Sequence, residues 1–112
     1  YDAGVKVAYG SDWPIDHLNL WEHFQLGMNR QLMGSHYQHG NDRMLTVQEV
    51  LRSATIDAAY MLRQDQNIGS LEAGKFADFI VLNQNPFELD RYKLHTVKAE
   101  QVFLGGKPIK IS

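Results

Sequence analysis

The chain has 112 residues, 44% hydrophobic and 21% charged, enough for one modest core and unlike a disordered or fibrous composition. Thirteen acidic residues against eleven Lys and Arg give a formal charge of -2, which excludes the basic footprint of a nucleic-acid binder or a polybasic membrane tether. With no cysteine, disulfides, thiolate metal ligands and a cysteine nucleophile are excluded, and no apolar run approaches the ~20 residues that span a bilayer.

The chain starts Tyr1-Asp2-Ala3-Gly4, without an initiator Met, and the expectation is a part of a longer protein. Val5, Val7, Ala8 and Tyr9 form an apolar run that predicts a buried strand. Gly10 and Ser11 end it, Asp12 sits just past the end, and Trp13 and Pro14 follow. On local sequence alone, a turn-forming aspartate and a catalytic carboxylate account for Asp12 equally well.

Trp21, Phe24, Met28 and Leu32 recur at helical spacing, with Asn19 placed to cap the start and Gly27 weakening the pattern. Trp21, Phe24 and Met28 read most simply as core. Residues 34–43 are polar and turn-rich and predict a loop. In that loop His36 and His39, with Asp42 nearby, have the residue types of a metal site, but loop polarity is the stronger reading. Thr46 and Glu49 form a capping box, and Val47, Val50, Leu51, Ala54, Ala58 and Leu62 keep one apolar face with Arg52, Ser53 and Asp57 off it. A single amphipathic helix over 47–63 is expected.

Beyond Gly69 and Gly74 the pattern changes to short apolar runs. Lys75, between Gly74 and Phe76, reads as a solvated turn residue. Strands are expected over 77–82, 98–104 and 108–111, the last two joined by a tight turn at Gly105-Gly106. His95 lies between strands, where solvent exposure is expected. The chain thus divides into residues 1–65, strand and helices, and residues 66–112, all-β.

Three stretches, "GVKVAYGSDWPI", "LTVQEVLRSATIDAAYMLRQDQNIGSLEAGKFADFIVLNQNPFEL" and "VFLGGKPI", together resemble the C-terminal end of the amidohydrolase superfamily, and most closely amidohydrolase family 3. The resemblance implies an α/β fragment. Residues 1–65 would supply the eighth strand, a loop helix and the outer helix of a (β/α)8 TIM barrel, and residues 66–112 the C-terminal strands of a small β-sandwich. It also implies that Asp12 is catalytic, taking a proton from the attacking water and passing it to the leaving amine, and that it can touch the metal. Trp13 and His17 would border the substrate pocket; core packing is the competing role for Trp13, and a surface or helix-capping position is the simpler reading of His17.

The same resemblance implies a divalent metal, zinc by expectation, in the intact enzyme, with its ligands on earlier barrel strands and none held by this chain alone. A complete barrel takes about 250 residues. The implied function is therefore the C-terminal fragment of a metal-dependent amidohydrolase acting on amide-like, non-peptide C–N bonds, inactive by itself. The alternative is a stand-alone binding or regulatory module derived from such a C-terminus. A small-molecule substrate, a cytoplasmic location and no nucleic-acid or membrane partner are expected. So is a homo-oligomer, because a barrel strand and a barrel-facing helix without a barrel leave apolar surface exposed.

Overall fold

A computed structural model describes residues 1–15 and 18–110. Three helices come first: α1, Leu20–Asn29; α2, Val47–Ala54; and α3, Ile56–Met61. Three strands follow, β1 (Phe79–Leu82), β2 (Ala99–Leu104) and β3 (Lys107–Ile109), with a 3-10 turn at Leu94–Thr96 between the first two.

The helix starts are set by local chemistry. The Asn19 side chain accepts a hydrogen bond from the Trp21 amide, and α1 ends at Arg30, whose φ of 53° is left-handed. At α2 both halves of the capping box are formed: Thr46 Oγ1 accepts from the Glu49 amide at 3.2 Å, and the Glu49 carboxylate accepts from the Thr46 amide at 2.8 Å.

The helix expected over 47–63 is instead two, broken at Thr55 (φ -121°, ψ -99°). Ser53 Oγ donates to the Val50 carbonyl and Thr55 Oγ1 to the Leu51 carbonyl, the back-bonding that bends helices. The break turns the second half, so the expected apolar face does not continue. Leu62 is exposed, while Ser53 and Asp57, expected off the face, are buried. Leu32, expected to extend the first helix, lies beyond its end and is exposed.

The core is small and helical. Trp21, Phe24 and Met28 of α1 pack with Val50 of α2 and with Leu94 and Val97 of the 3-10 turn, and Tyr9, Leu82 and Leu89 press on its edge. The sheet has the order β1-β2-β3 and is antiparallel throughout. Phe79 lies opposite Phe103 with the rings stacked at 4.5 Å. Pro108 is tolerated because β3 is an edge strand. The Gly105-Gly106 turn forms as expected, with both residues at positive φ.

One expectation fails in a telling way. Residues 5–9 form no strand among the described residues, and Val5 is 62% exposed. An apolar run becomes a strand by pairing, and among the described residues no strand lies beside it to accept its backbone groups.

Gly69 shows how closely the segment after α3 returns to that helix. A Cβ there would sit 2.7 Å from Ala59 Cβ and 2.9 Å from Ile56 Cα, at a φ of +91°. Gly74 has the same φ but open space around it. Gly69→Ala is therefore expected to cost about 2–3 kcal/mol in urea unfolding, where steric and backbone strain combine, and Gly74→Ala about 1 kcal/mol from the backbone alone. Equal losses at the two positions would show that Gly69 does not contact α3.

Candidate active site

Asp12 is the expected catalytic residue, and its backbone is unusual. Its φ is +54°, a left-handed conformation that aspartate tolerates better than most residues, and its carbonyl accepts the Ile15 amide at 2.9 Å. This closes a turn that leaves Asp12, Trp13 and Pro14 exposed, with the Trp13–Pro14 peptide cis. Trp13, offered as either pocket wall or core, is 62% exposed and so is not core. His17, the third expected site residue, lies outside the described residues.

What holds this turn is Tyr9, three residues earlier. Its amide donates to the Ser53 carbonyl of α2 at 2.9 Å. Its ring meets His23 and Phe24 of α1 edge-on, at 5.7 and 5.6 Å between centroids. One residue thus joins the segment leading to Asp12 to two helices. The sequence marks Tyr9 only as part of an apolar run; nothing local points to its partners.

The implied divalent metal can be tested against these residues. A metal site takes three or four convergent donors, and the described residues contain no group of three His, Asp or Glu side chains able to hold one. His36 and His39 are exposed, and Asp42 is engaged by Arg30 at 3.1 Å. Asp12 offers a single carboxylate, and these residues do not make a metal centre.

Two other side chains differ from expectation. Lys75 is not a solvated turn residue: its side chain is 12% exposed, and its ammonium donates to Ser70 Oγ at 2.6 Å and pairs with Glu72 at 2.9 Å. Ser70 also donates to Glu72, and these two contacts hold the Glu72 carboxyl below its usual range. His95 is half-buried rather than exposed, because its amide and its ring Nδ1 both reach Gln25 on α1.

A clamp that the sequence does not reveal ties the start of the chain to α2. Arg43 makes two hydrogen bonds to Asp2, at 2.8 and 2.7 Å, and two to Glu49, at 2.9 and 2.8 Å. The Arg43 guanidinium, and after it the Thr46 amide, lower the Glu49 pKa to about 2. Arg43 also lowers that of Asp2.

Comparison with known proteins places this geometry. A family model described as "Amidohydrolase family" matches residues 1–110. An N-substituted formamide deformylase of Arthrobacter pascens is 30% identical over 105 residues, covering 94% of this chain and 19% of that protein. A 5-methylthioadenosine/S-adenosylhomocysteine deaminase of Thermoanaerobacter pseudethanolicus is 37% identical over 86 residues, 71% of this chain and 18% of that protein. The crystal structure of an amidohydrolase from Thermotoga maritima has the same fold over 97% of this chain and 24% of its own, with a TM-score of 0.69 at 24% identity. The chain spans about a fifth of the length of the curated relatives it matches.

The clamp predicts a pH dependence. The folded pKa of Glu49 lies below its ordinary 4.5, so its contribution to stability is complete above that value and is lost as the pH falls toward about 2. Thermal unfolding midpoints measured across that window should fall less steeply for Arg43→Met than for the parent chain. Parallel curves would mean that the clamp contributes nothing to folding.

Proposed function

The chain belongs to the amidohydrolase family, and from that membership we propose that it is the C-terminal segment of a metal-dependent hydrolase of amide-like, non-peptide C–N bonds. On this reading, residues 5–9 are the last strand of a (β/α)8 barrel, α2 and α3 its outer helix, and β1 to β3 part of a flanking β-sandwich. The exposed apolar side chains of Val5 and Val7 support it, since a barrel strand's two faces are covered by the packed interior and by the outer helices. The divalent metal, zinc by expectation, would be held by other residues of the enzyme. The substrate is a small molecule, and the enzyme is taken as a cytoplasmic homo-oligomer.

The observation that carries the proposal is the presentation of Asp12. A carboxylate stands exposed on a turn just beyond the anchored Tyr9, where barrel enzymes place their catalytic groups. Hydrolysis of an amide adds water across the C–N bond: oxygen bonds to carbon, the C–N bond breaks, and a proton must reach the departing nitrogen. The Asp12 carboxylate accepts the proton that the attacking water loses and returns it to that nitrogen, ending the cycle ionised as it began. The names of the two relatives, a deformylase and a deaminase, agree with chemistry at a carbon–nitrogen bond.

In the full-length protein, Asp12→Asn is expected to lower kcat by about 10²–10⁴-fold with KM little changed, because asparagine keeps the shape but cannot carry the proton. Circular dichroism of the variant checks that the fold is retained. An unaltered kcat would remove Asp12 from the chemistry. The 112-residue chain assayed alone should show no turnover of N-substituted formamides, and turnover by it would overturn the assignment as one segment of a larger site.

A further inference from the structure

A cleft lies between the end of α1, the loop after it and the 3-10 turn. Its volume is about 670 Å³, it is bordered by Gln25, Leu32, Ser35, His36, Tyr92 and His95, among others, and none of its lining comes from residues 1–15. Among the described residues that line it there is no carboxylate, lysine or arginine.

Its polar floor is oriented by a single contact. Gln25 is only 6% exposed, and its Oε1 accepts from both the amide of His95, at 3.0 Å, and the ring Nδ1 of His95, at 2.7 Å. A backbone amide can only donate, so Gln25 must present oxygen there, and its Nε2 is turned the other way. That Nε2 makes no hydrogen bond among the described residues, on a side chain that lines the cleft. The contact also fixes the histidine. Because Oε1 only accepts, the His95 proton is on Nδ1, which leaves Nε2 as an acceptor in the neutral ring. Its Nε2 likewise has no partner among the described residues.

One hydrogen bond thus leaves a fixed donor on one side of it and a fixed acceptor on the other, both on residues lining an uncharged cleft. Gln25 Nε2 is not among the fully buried unpartnered atoms of the described residues, so it is open to solvent and water pairs with it until a ligand takes its place. Leu32, Met33 and Tyr92, each more than half exposed, provide apolar walls beside them.

We propose that this cleft binds the carboxamide group of an uncharged small molecule, its carbonyl oxygen accepting from Gln25 Nε2 and its N–H donating to His95 Nε2, with an apolar remainder against Leu32, Met33 and Tyr92. A carboxylate is disfavoured: it brings a charge into a cleft with no cation and has no proton for His95. The site stands apart from the Asp12 turn and does not depend on the catalytic reading.

The test is calorimetric titration of the full-length protein with benzamide, and with benzoate as the same shape lacking the N–H. Benzamide should bind saturably and at least tenfold more tightly than benzoate. Gln25→Glu keeps an oxygen for His95 but puts a charged acceptor in place of the Nε2 donor, so it should weaken benzamide at least tenfold. Tyr92→Ala, at an exposed position where the fold is not at stake, should weaken it several-fold. Asp12→Asn should leave it unchanged. The proposal is overturned if benzoate binds as well as benzamide, if neither Gln25→Glu nor Tyr92→Ala alters binding, or if binding is absent or follows Asp12 instead.

Discussion

The structure depends on α1 being buried on three sides. Phe24 and Leu94, 2% and 1% exposed, are the deepest large apolar side chains in a core with few others. Around Phe24 meet α2 through Val50, the start of the chain through Tyr9, and the 3-10 turn through Leu94 and Val97. Each burial of this kind is worth about 1.5–3 kcal/mol, so a core this small leaves little surplus over chain entropy. The first and last thirds of the chain are held together by contacts to this one ten-residue helix.

Polar side chains complete the attachment. Asn29, buried at the end of α1, donates to the Arg91 carbonyl and accepts from the Arg91 guanidinium, which also reaches the Met28 carbonyl. Gln25, one turn earlier, holds His95. These ties satisfy carbonyls and amides that the short 3-10 turn and the end of α1 cannot pair internally. They also fix side-chain orientation, which apolar packing alone does not do.

What could be read from the sequence was what is decided within a few residues. The Asn19 cap, the Thr46–Glu49 capping box and the Gly105-Gly106 hairpin each involve partners no more than three or four positions apart, and all three form. The break at Thr55 was hidden because the apolar spacing of residues 47–62 runs through it unchanged, and Ser53 and Thr55 do not show in the sequence whether their hydroxyls will back-bond. Asp57 looked like a solvated acid, yet it is buried and paired with Arg52 at 3.1 Å once the break has turned it inward. Gln25 with His95 and Arg43 with Asp2 span 70 and 41 positions, and no local pattern announces them. At the candidate site, the sequence marked Asp12 and its turn; the anchoring of Tyr9 by Ser53, His23 and Phe24 required the fold.

That anchoring has a limit which bears on the proposed relay. Between residues 5–12 and the helices, the backbone makes one hydrogen bond among the described residues, from Tyr9 to Ser53. A proton relay loses most of its effect when its carboxylate is misplaced by about 1 Å. A hydrogen bond to Ser53 and ring contacts to His23 and Phe24 fix Tyr9, but Gly10 and Ser11 separate it from Asp12, and the turn itself is exposed. On the proposed reading, the missing constraint is strand pairing on both sides of residues 5–9. Closing the barrel around that strand would also cover the Val5 and Val7 side chains, which are costly to expose. Folding of the barrel and assembly of the relay become one event.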